Sequence, residues 1–247
     1  MNLPTEQTKN EQESLLVETE ENFDIAEMVK LGVHLGKKRS ASHAQMSPYV
    51  FSVRNDIQII DLDKTSERLS IASGFLKNAI QDGSVVLFVG TKIQLKDLVK
   101  NSAISCDMPY VTERWLGGTL TNWPEISRRR DYFLDLESKK NSGELTKYTK
   151  HEQLKISNQL EKLSILFGGI KMLKKNPNAL FIVDAASHMA ALLEAKKLNI
   201  PVVAIADTDT NPELVNYIIP ANSSSISSVK LILDKVCQAI HSINSKS

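Results

Sequence analysis

The sequence contains few of the residues that define several special classes of protein. Only two of its 247 residues are cysteines, Cys106 and Cys237, which is too few for a disulfide framework or a four-thiolate zinc site. Its purely apolar runs, such as 85–89, are far shorter than the roughly eighteen residues that a membrane helix needs. The basic and apolar regions of a secretory signal are missing from the first residues. We therefore expect an intracellular, cytoplasmic protein of a reducing compartment that does not cross a membrane.

The net charge of +1 conceals an uneven distribution of charged residues along the chain. Residues 1–27 carry eight acidic residues and one lysine, a net charge of −7, so the rest of the chain carries +8. Residues 1–22 are polar and without periodicity, which predicts a disordered acidic leader. A basic folded body favours a polyanionic partner, and the leader either competes with that partner or serves as a solvated tail.

Most of the chain alternates between short apolar runs and amphipathic segments. The apolar runs predict strands at 49–53, 57–62, 84–89, 108–111, 179–183, 201–206 and 217–219. Apolar residues at helical spacing predict helices over 25–31, 63–80, 90–102, 187–198 and 226–240, and a basic loop over 32–48. This alternation is typical of an α/β fold of the Rossmann or flavodoxin type, in which helices flank a parallel sheet on both faces.

The alternation is interrupted by residues 125–175, which are rich in lysine, arginine, glutamate and leucine. A polar break at 141–143 predicts two long helices folded back on each other, with an apolar seam at Leu160, Leu163, Phe167 and Ile170. The segment contains twelve basic and seven acidic residues, a net charge of +5. We interpret it as a coiled-coil-like hairpin inserted into a globular α/β domain that comprises 23–124 and 176–247. Trp115 and Trp123 are expected to pack in the core or at the hairpin base rather than to stack on bases.

Ligands of open parallel sheets favour the carboxyl ends of the strands, which here carry Gly90, Asp184, Asp207 and Asp209. Backbone N–H groups near Gly90 suit a phosphate, and the carboxylates suit Mg²⁺, so a cytosolic nucleotide-binding enzyme is one hypothesis. However, neither dinucleotide-binding nor P-loop glycine spacing occurs, and aspartate is also a common turn and cap residue. The histidines, His34, His43 and His188, lack metal-ligand spacing. We predict no catalytic residue, metal, cofactor or small-molecule substrate.

Clustered basic residues favour the alternative class, a protein that binds nucleic acid. Neutralisation of phosphates requires such clusters, and two of them, 128–130 and 171–175, become neighbours if the hairpin is antiparallel. A charged helix face without a ligand would give the same pattern. The candidate phosphate-binding residues are Lys37, Lys38, Arg39, Arg54, Arg114, Arg128, Arg129, Arg130, Lys171, Lys174 and Lys175.

Nine blocks, in family order, resemble the bacterial-type S-two family of small-subunit ribosomal proteins. The most specific is RWLGGTLTN at 114–122, and the others lie at 32–36, 46–51, 57–65, 88–92, 168–170, 177–184, 200–208 and 218–222. The family commonly has His and Gln where this chain has Lys37 and Lys38. The resemblance implies a non-catalytic structural constituent of a bacterial or organellar small ribosomal subunit, with an α/β sheet domain and a projecting helical hairpin. It also implies rRNA and neighbouring ribosomal proteins as partners, including the mRNA-binding protein S-one where that protein is present.

Overall fold

The computed structural model describes residues 24–244, so the predicted disordered leader, 1–22, lies outside the described residues. Its centre is a five-stranded parallel sheet in the order β5-β4-β6-β7-β8. These strands are β4 (Val86–Val89), β5 (Tyr110–Val111), β6 (Ala179–Val183), β7 (Val202–Ala206) and β8 (Tyr217–Pro220). Strands β4, β6 and β7 are buried throughout, because helices cover both faces of the sheet.

Alternate side chains of each central strand belong to two different hydrophobic cores. Val86 and Phe88 of β4 join the core on one face, whereas Leu87 and Val89 join the core on the other. The first core is covered by α1 (Ile25–Lys30), α2 (Leu62–Gln81), α3 (Lys96–Ser105) and the last helix, α7 (Ile226–Asn244). The second is covered by α4 (Trp123–Asn141), α5 (Lys150–Phe167) and α6 (Met189–Lys197). The predicted fold class, a parallel sheet with helices on both faces, is therefore confirmed.

The helical hairpin consists of α4 and α5, joined by a turn in which Gly143 adopts φ +76°. Thr149 and Glu152 form a capping box that begins α5. All four residues of the predicted seam, Leu160, Leu163, Phe167 and Ile170, are buried, together with Phe133 and Leu136 of α4. The proposed division of the chain into domains at 125 and 175 stays a prediction. None of the helices between residues 24 and 244 is both long and apolar enough to cross a membrane.

The basic loop predicted over 32–48 is partly wrong, because it contains a strand. In a second, antiparallel sheet of order β1-β3-β2, β1 (Leu35–Lys38) and β2 (Val50–Arg54) pair with opposite edges of β3 (Ile57–Ile60). Short 3₁₀ turns, Arg39–Ala41 and Ala44–Tyr49, connect β1 to β2. Strand β1 was missed because its sequence, LGKK, lacks apolar alternation, and long-range pairing rather than local preference makes it a strand.

Two predicted helices begin later than the sequence indicates. After β4, residues 90–92 are irregular and 93–95 form a turn, and α3 begins at Lys96 rather than at Gly90. A residue of a distant segment stabilises the connection between β4 and α3, because the Thr91 N–H donates to His188 Nε2 at 3.1 Å. After β6, a 3₁₀ turn, Ala185–His188, precedes α6, which begins at Met189 rather than at residue 187. No helix N-terminus therefore lies at Gly90, where one was predicted.

Candidate nucleic-acid interface

Three candidate cations gather at one end of the antiparallel sheet, and we call Lys38, Arg39 and Arg54 the sheet-tip cluster. Lys38 and Arg54 both lie in register with Ile57, one on each side of it. Since adjacent strands are about 4.8 Å apart, their backbones lie roughly 10 Å apart. The Arg39 N–H donates to the Asp56 carbonyl at 2.8 Å, which brings the third cation to the same end. All three side chains are exposed, and none forms an ion pair within residues 24–244.

The hairpin base gathers six more candidates, and we call Arg128, Arg129, Arg130, Lys171, Lys174 and Lys175 the hairpin-base cluster. Arg130 donates a hydrogen bond to the carbonyl of Leu173, and Lys171 pairs with Glu137 of α4 at 2.6 Å. Arg129 lies over the ring of Phe167, 6.0 Å from its centroid. These contacts make the two basic stretches neighbours, as expected of an antiparallel hairpin.

The six cations of the hairpin-base cluster are not equally available to a ligand. Arg130 is only 8% exposed and is held by Asp131 at 2.6 Å and by the ring of Trp123, while Lys171 is bound by Glu137. Arg128 pairs with Glu125 at 2.9 Å, but this pair is exposed and therefore weak. Arg129, Lys174 and Lys175 are exposed, and no ion pair to a described residue engages them. Half of this cluster thus presents a charge without an internal counterion.

Lys37 is half-buried and is engaged by partners within the protein. Its Nζ lies 3.3 Å from Asp207 Oδ2 and also donates a hydrogen bond to Ser224, while its backbone N–H donates to Thr208 Oγ1 at 2.9 Å. Burial raises the pKa of Asp207, and the neighbouring Lys37 ammonium partly counteracts that rise. Burial likewise raises the pKa of Asp209. Lys37 therefore acts as an internal counter-charge that attaches β1 to the loop after β7.

The enzyme hypothesis places its ligand near Gly90, after β4, and Asp207, after β7, and the strand between them, β6, ends in polar groups that satisfy one another. Asp184 is 2% exposed, pairs with Lys92 at 2.6 Å, and accepts hydrogen bonds from Ser223 at 3.0 Å and from Ser187. The sequence suggested that Asp184 caps the following turn, but its side chain makes no capping hydrogen bond. Among the described residues, no group of three or more His, Cys, Asp or Glu is arranged to hold a metal ion.

Two further residues at these strand ends also have structural partners. A Cβ atom on Gly90 would lie 2.7 Å from a methyl group of Val99, so a glycine here permits close packing of α3 on the sheet. His188 is buried, which lowers its pKa, and its Nδ1 lies 2.8 Å from the Asp184 carbonyl oxygen. Gly90 and His188 thus have packing and hydrogen-bonding roles that need no ligand.

The loop between β5 and α4, which presents Arg114, is organised by a single carboxylate that the sequence did not reveal. Glu194 of α6 accepts hydrogen bonds from Trp115 Nε1 at 3.0 Å and from the N–H groups of Gly118 at 2.8 Å, Leu120 at 2.9 Å and Thr121 at 3.1 Å. Burial alone would raise the pKa of Glu194, but these hydrogen bonds outweigh it and leave the pKa lowered. Locally, Glu194 resembles any charged residue on an amphipathic helix, and its partners lie more than seventy residues earlier.

The two tryptophans of this region pack against the second core, as expected. Trp115 and Trp123 are both partly buried against that core, and the guanidinium of Arg130 lies 5.6 Å from the ring centroid of Trp123. Arg114 itself is exposed and has no ion-pair partner in the described part of the chain. The loop therefore presents one free cation on a backbone that Glu194 and Trp115 hold in place.

Comparison with known proteins identifies the family of the chain. The family model described as "Ribosomal protein S2" matches residues 28–242. Over 212 residues the chain is 43% identical to "Small ribosomal subunit protein uS2" of Roseiflexus castenholzii, covering 86% of this chain and 81% of that protein. It is 42% identical over 216 residues to the protein of the same name from Thermus thermophilus, covering 87% and 84%. A match over most of both chains, on the fold described above, shows that this chain belongs to the ribosomal protein S2 family.

Proposed function

We propose that the chain is a non-catalytic structural constituent of the small ribosomal subunit and binds its rRNA through exposed cations. The observation that carries the proposal is the set of candidate cations that are exposed and have no ion-pair partner within residues 24–244. They are Lys38, Arg39, Arg54, Arg114, Arg129, Lys174 and Lys175. Membership of the S2 family supports the ribosomal assignment and with it a place on the ribosome in the cytoplasm.

Three of the eleven original candidates take structural rather than phosphate-binding roles in this proposal. Lys37, Arg130 and Lys171 already have a carboxylate partner, at 3.3 Å, 2.6 Å and 2.6 Å respectively. Moving Lys37 would leave the buried Asp207 unpaired, and Arg130 is itself buried and also donates to the Leu173 carbonyl, so these costs offset the gain from a phosphate; the Lys171 pair with Glu137 is only half-buried. Arg128 remains a candidate, because its exposed pair with Glu125 costs little to break.

The salt dependence of RNA binding tests this assignment at single residues. Each phosphate that the protein no longer neutralises makes the negative slope of log K against log salt concentration shallower by about 0.7–0.9, and we expect this change for Arg129→Ala. Lys147→Ala is the matched control, because Lys147 is an equally exposed cation in the turn between α4 and α5, outside both clusters. Fluorescence anisotropy with fragments of small-subunit rRNA measures both slopes. Equal slopes for Arg129→Ala and the unmodified protein would remove Arg129 from the interface.

The ribosomal assignment itself is tested by sedimentation. We expect the tagged protein, expressed in its source cells, to sediment with the small subunit in sucrose gradients at both low and moderate salt. Protein found only at the top of both gradients would contradict the proposal. The enzyme hypothesis, with a ligand at the strand ends near Gly90 and Asp207, would then be favoured. Thermal stabilisation by a nucleotide tests that hypothesis.

The proposal also includes contacts with neighbouring proteins, S-one among them where it is present. Large apolar side chains remain exposed on three parts of the surface, Phe51 at 76%, Ile93 at 84% and Met172 at 87%. Such side chains suit protein partners better than they suit phosphates. Affinity capture after ribonuclease treatment tests this part, since partners bound directly to the protein should be retained and partners held only through RNA should be released.

A further inference from the structure

Cys106 and Cys237, far apart in sequence, meet at the junction of two helices. Cys106 directly follows α3, and Cys237 lies in α7, so the pair spans the contact between these helices. The Ser105 hydroxyl oxygen lies 3.9 Å from each sulfur atom, so the two thiols are neighbours around one hydroxyl group. Cys237 Sγ is also 3.6 Å from the Ser102 carbonyl oxygen. Both cysteines belong to the first hydrophobic core.

We propose that Cys106 and Cys237 form a modification site, a dithiol that a small peroxide converts into an intramolecular disulfide joining α3 to α7. The proposal is independent of the proposed function, because it concerns the face of the sheet opposite the hairpin. Both residues are mostly buried, at 6% and 8% exposure, but the neighbouring Ser105, Asp107 and His241 are exposed. Hydrogen peroxide is small enough to reach such a site. A larger oxidant that is itself a disulfide would be hindered by its size.

The two sulfur atoms have different surroundings and therefore take different roles in the proposed reaction. A hydrogen bond between the thiols raises the pKa of Cys106 and lowers that of Cys237, which makes Cys237 the more acidic of the two. Ser105 and the nearby His241 also lower the pKa of Cys237. Because the thiolate is the nucleophile of cysteine chemistry, Cys237 is the attacking residue and Cys106 the resolving one.

The reaction balances with one molecule of hydrogen peroxide as the oxidant. The Cys237 thiolate attacks one peroxide oxygen, the O–O bond breaks, and hydroxide leaves, which gives a sulfenic acid on Cys237. Hydroxide accepts the Cys106 proton, and the resulting thiolate attacks the Cys237 sulfur, forming the S–S bond and expelling a second hydroxide. That hydroxide takes up the proton left by the original ionisation of Cys237. Two thiols and one peroxide therefore yield one disulfide and two waters.

Intact-mass spectrometry of the full chain tests the proposal. The reduced, folded protein is treated with hydrogen peroxide, quenched with catalase, and then unfolded in urea for alkylation with iodoacetamide, so that buried thiols also react. We expect both alkylation sites to disappear from the same molecules, the mass to fall by two hydrogen atoms, and peptide mapping to show a Cys106–Cys237 link that a reductant reverses. Two alkylatable thiols remaining in the folded chain, at a peroxide dose that oxidises the urea-unfolded chain, would overturn the proposal. Disulfides formed only between molecules would do so as well.

Single substitutions separate the two roles. In Cys106→Ser, Cys237 has no resolving partner, and we expect its sulfenic acid to accumulate and to be trapped by dimedone. In Cys237→Ser, we expect Cys106 to stay alkylatable after the same treatment, because no low-pKa thiolate remains. Circular dichroism confirms that each variant is folded. Equal dimedone labelling of the two variants would contradict the assignment of the attacking sulfur, and the wild-type measurement tests the disulfide without any substitution.

Discussion

Glu194→Gln perturbs one carboxylate that accepts hydrogen bonds from four residues of the loop between β5 and α4. Besides Trp115 and three backbone N–H groups, the Thr121 hydroxyl donates to it at 3.2 Å. Hydrogen bonds to charged groups contribute about 1.5–3 kcal/mol each where buried, but Glu194 is only partly buried and glutamine keeps one accepting oxygen. The new amide group would face N–H donors with donors of its own. We expect a loss of about 3 kcal/mol in the free energy of unfolding.

Urea denaturation measures this loss from the transition midpoint, provided that the slope of the transition is unchanged. Glu161→Gln is the matched control, because Glu161 is exposed on α5 and forms no ion pair with a described residue. Its substitution should change stability by less than about 0.5 kcal/mol. A similarly small effect for Glu194→Gln would refute the reasoning, since the loop would then be held by its apolar packing alone.

The wild type and Glu194→Gln also provide a pH test. The pKa of Glu194 is lowered in the folded chain, so its contribution is fully present above the unfolded pKa of about 4.3 and is lost as the pH falls through the folded pKa. The stability difference between the wild type and Glu194→Gln should therefore be constant near neutrality and shrink below about pH 4. A difference that grows on acidification would show that the carboxylate is not stabilised in its charged form.

Three further substitutions test other parts of the structure. Gly169→Ala would place a Cβ atom 2.1 Å from the Tyr110 carbonyl oxygen, so we expect a melting temperature lowered by several degrees or loss of folding, measured by circular dichroism. Lys37→Met leaves the buried Asp207 unpaired and should cost about 2–3 kcal/mol in urea denaturation, whereas Lys38→Met should cost almost nothing but weaken RNA binding. Thr149→Ala removes the capping box of α5 and should cost about 1 kcal/mol; no change in the urea midpoint would contradict the capping role.

The central sheet could be predicted from the sequence because each of its main strands is recognisable from its own residues. Strands β4, β6 and β7 are continuous apolar runs, and both sets of alternating side chains are buried, one in each core. The hairpin was predictable for the same reason, since its seam repeats at helical spacing over many residues. Where burial on a regular period decides the structure, the sequence alone carries the information.

The features that were missed depend on contacts between distant residues. Strand β1 exists because Leu35–Lys38 pairs with β3, and Gly36 permits it because a Cβ atom there would lie 2.7 Å from the Thr208 side chain. The later start of α3 depends on His188, and the loop that contains Arg114 depends on Glu194. None of these partners can be identified from a period or a short motif, because each lies on another element.

In the candidate interface, two adjacent residues show what local sequence predicts and what only distant contacts decide. Lys37 and Lys38 are identical in type and neighbours in sequence, so charge counting treats them alike. They lie in β1, however, whose register with β3 shifts between Leu35 and Lys38, and their side chains have different surroundings. Lys37 pairs with the buried Asp207, whereas Lys38 remains exposed beside Arg39 at the sheet tip. A basic run marks an interface only after its internal ion pairs are subtracted, which here leaves seven exposed cations without an ion-pair partner in residues 24–244.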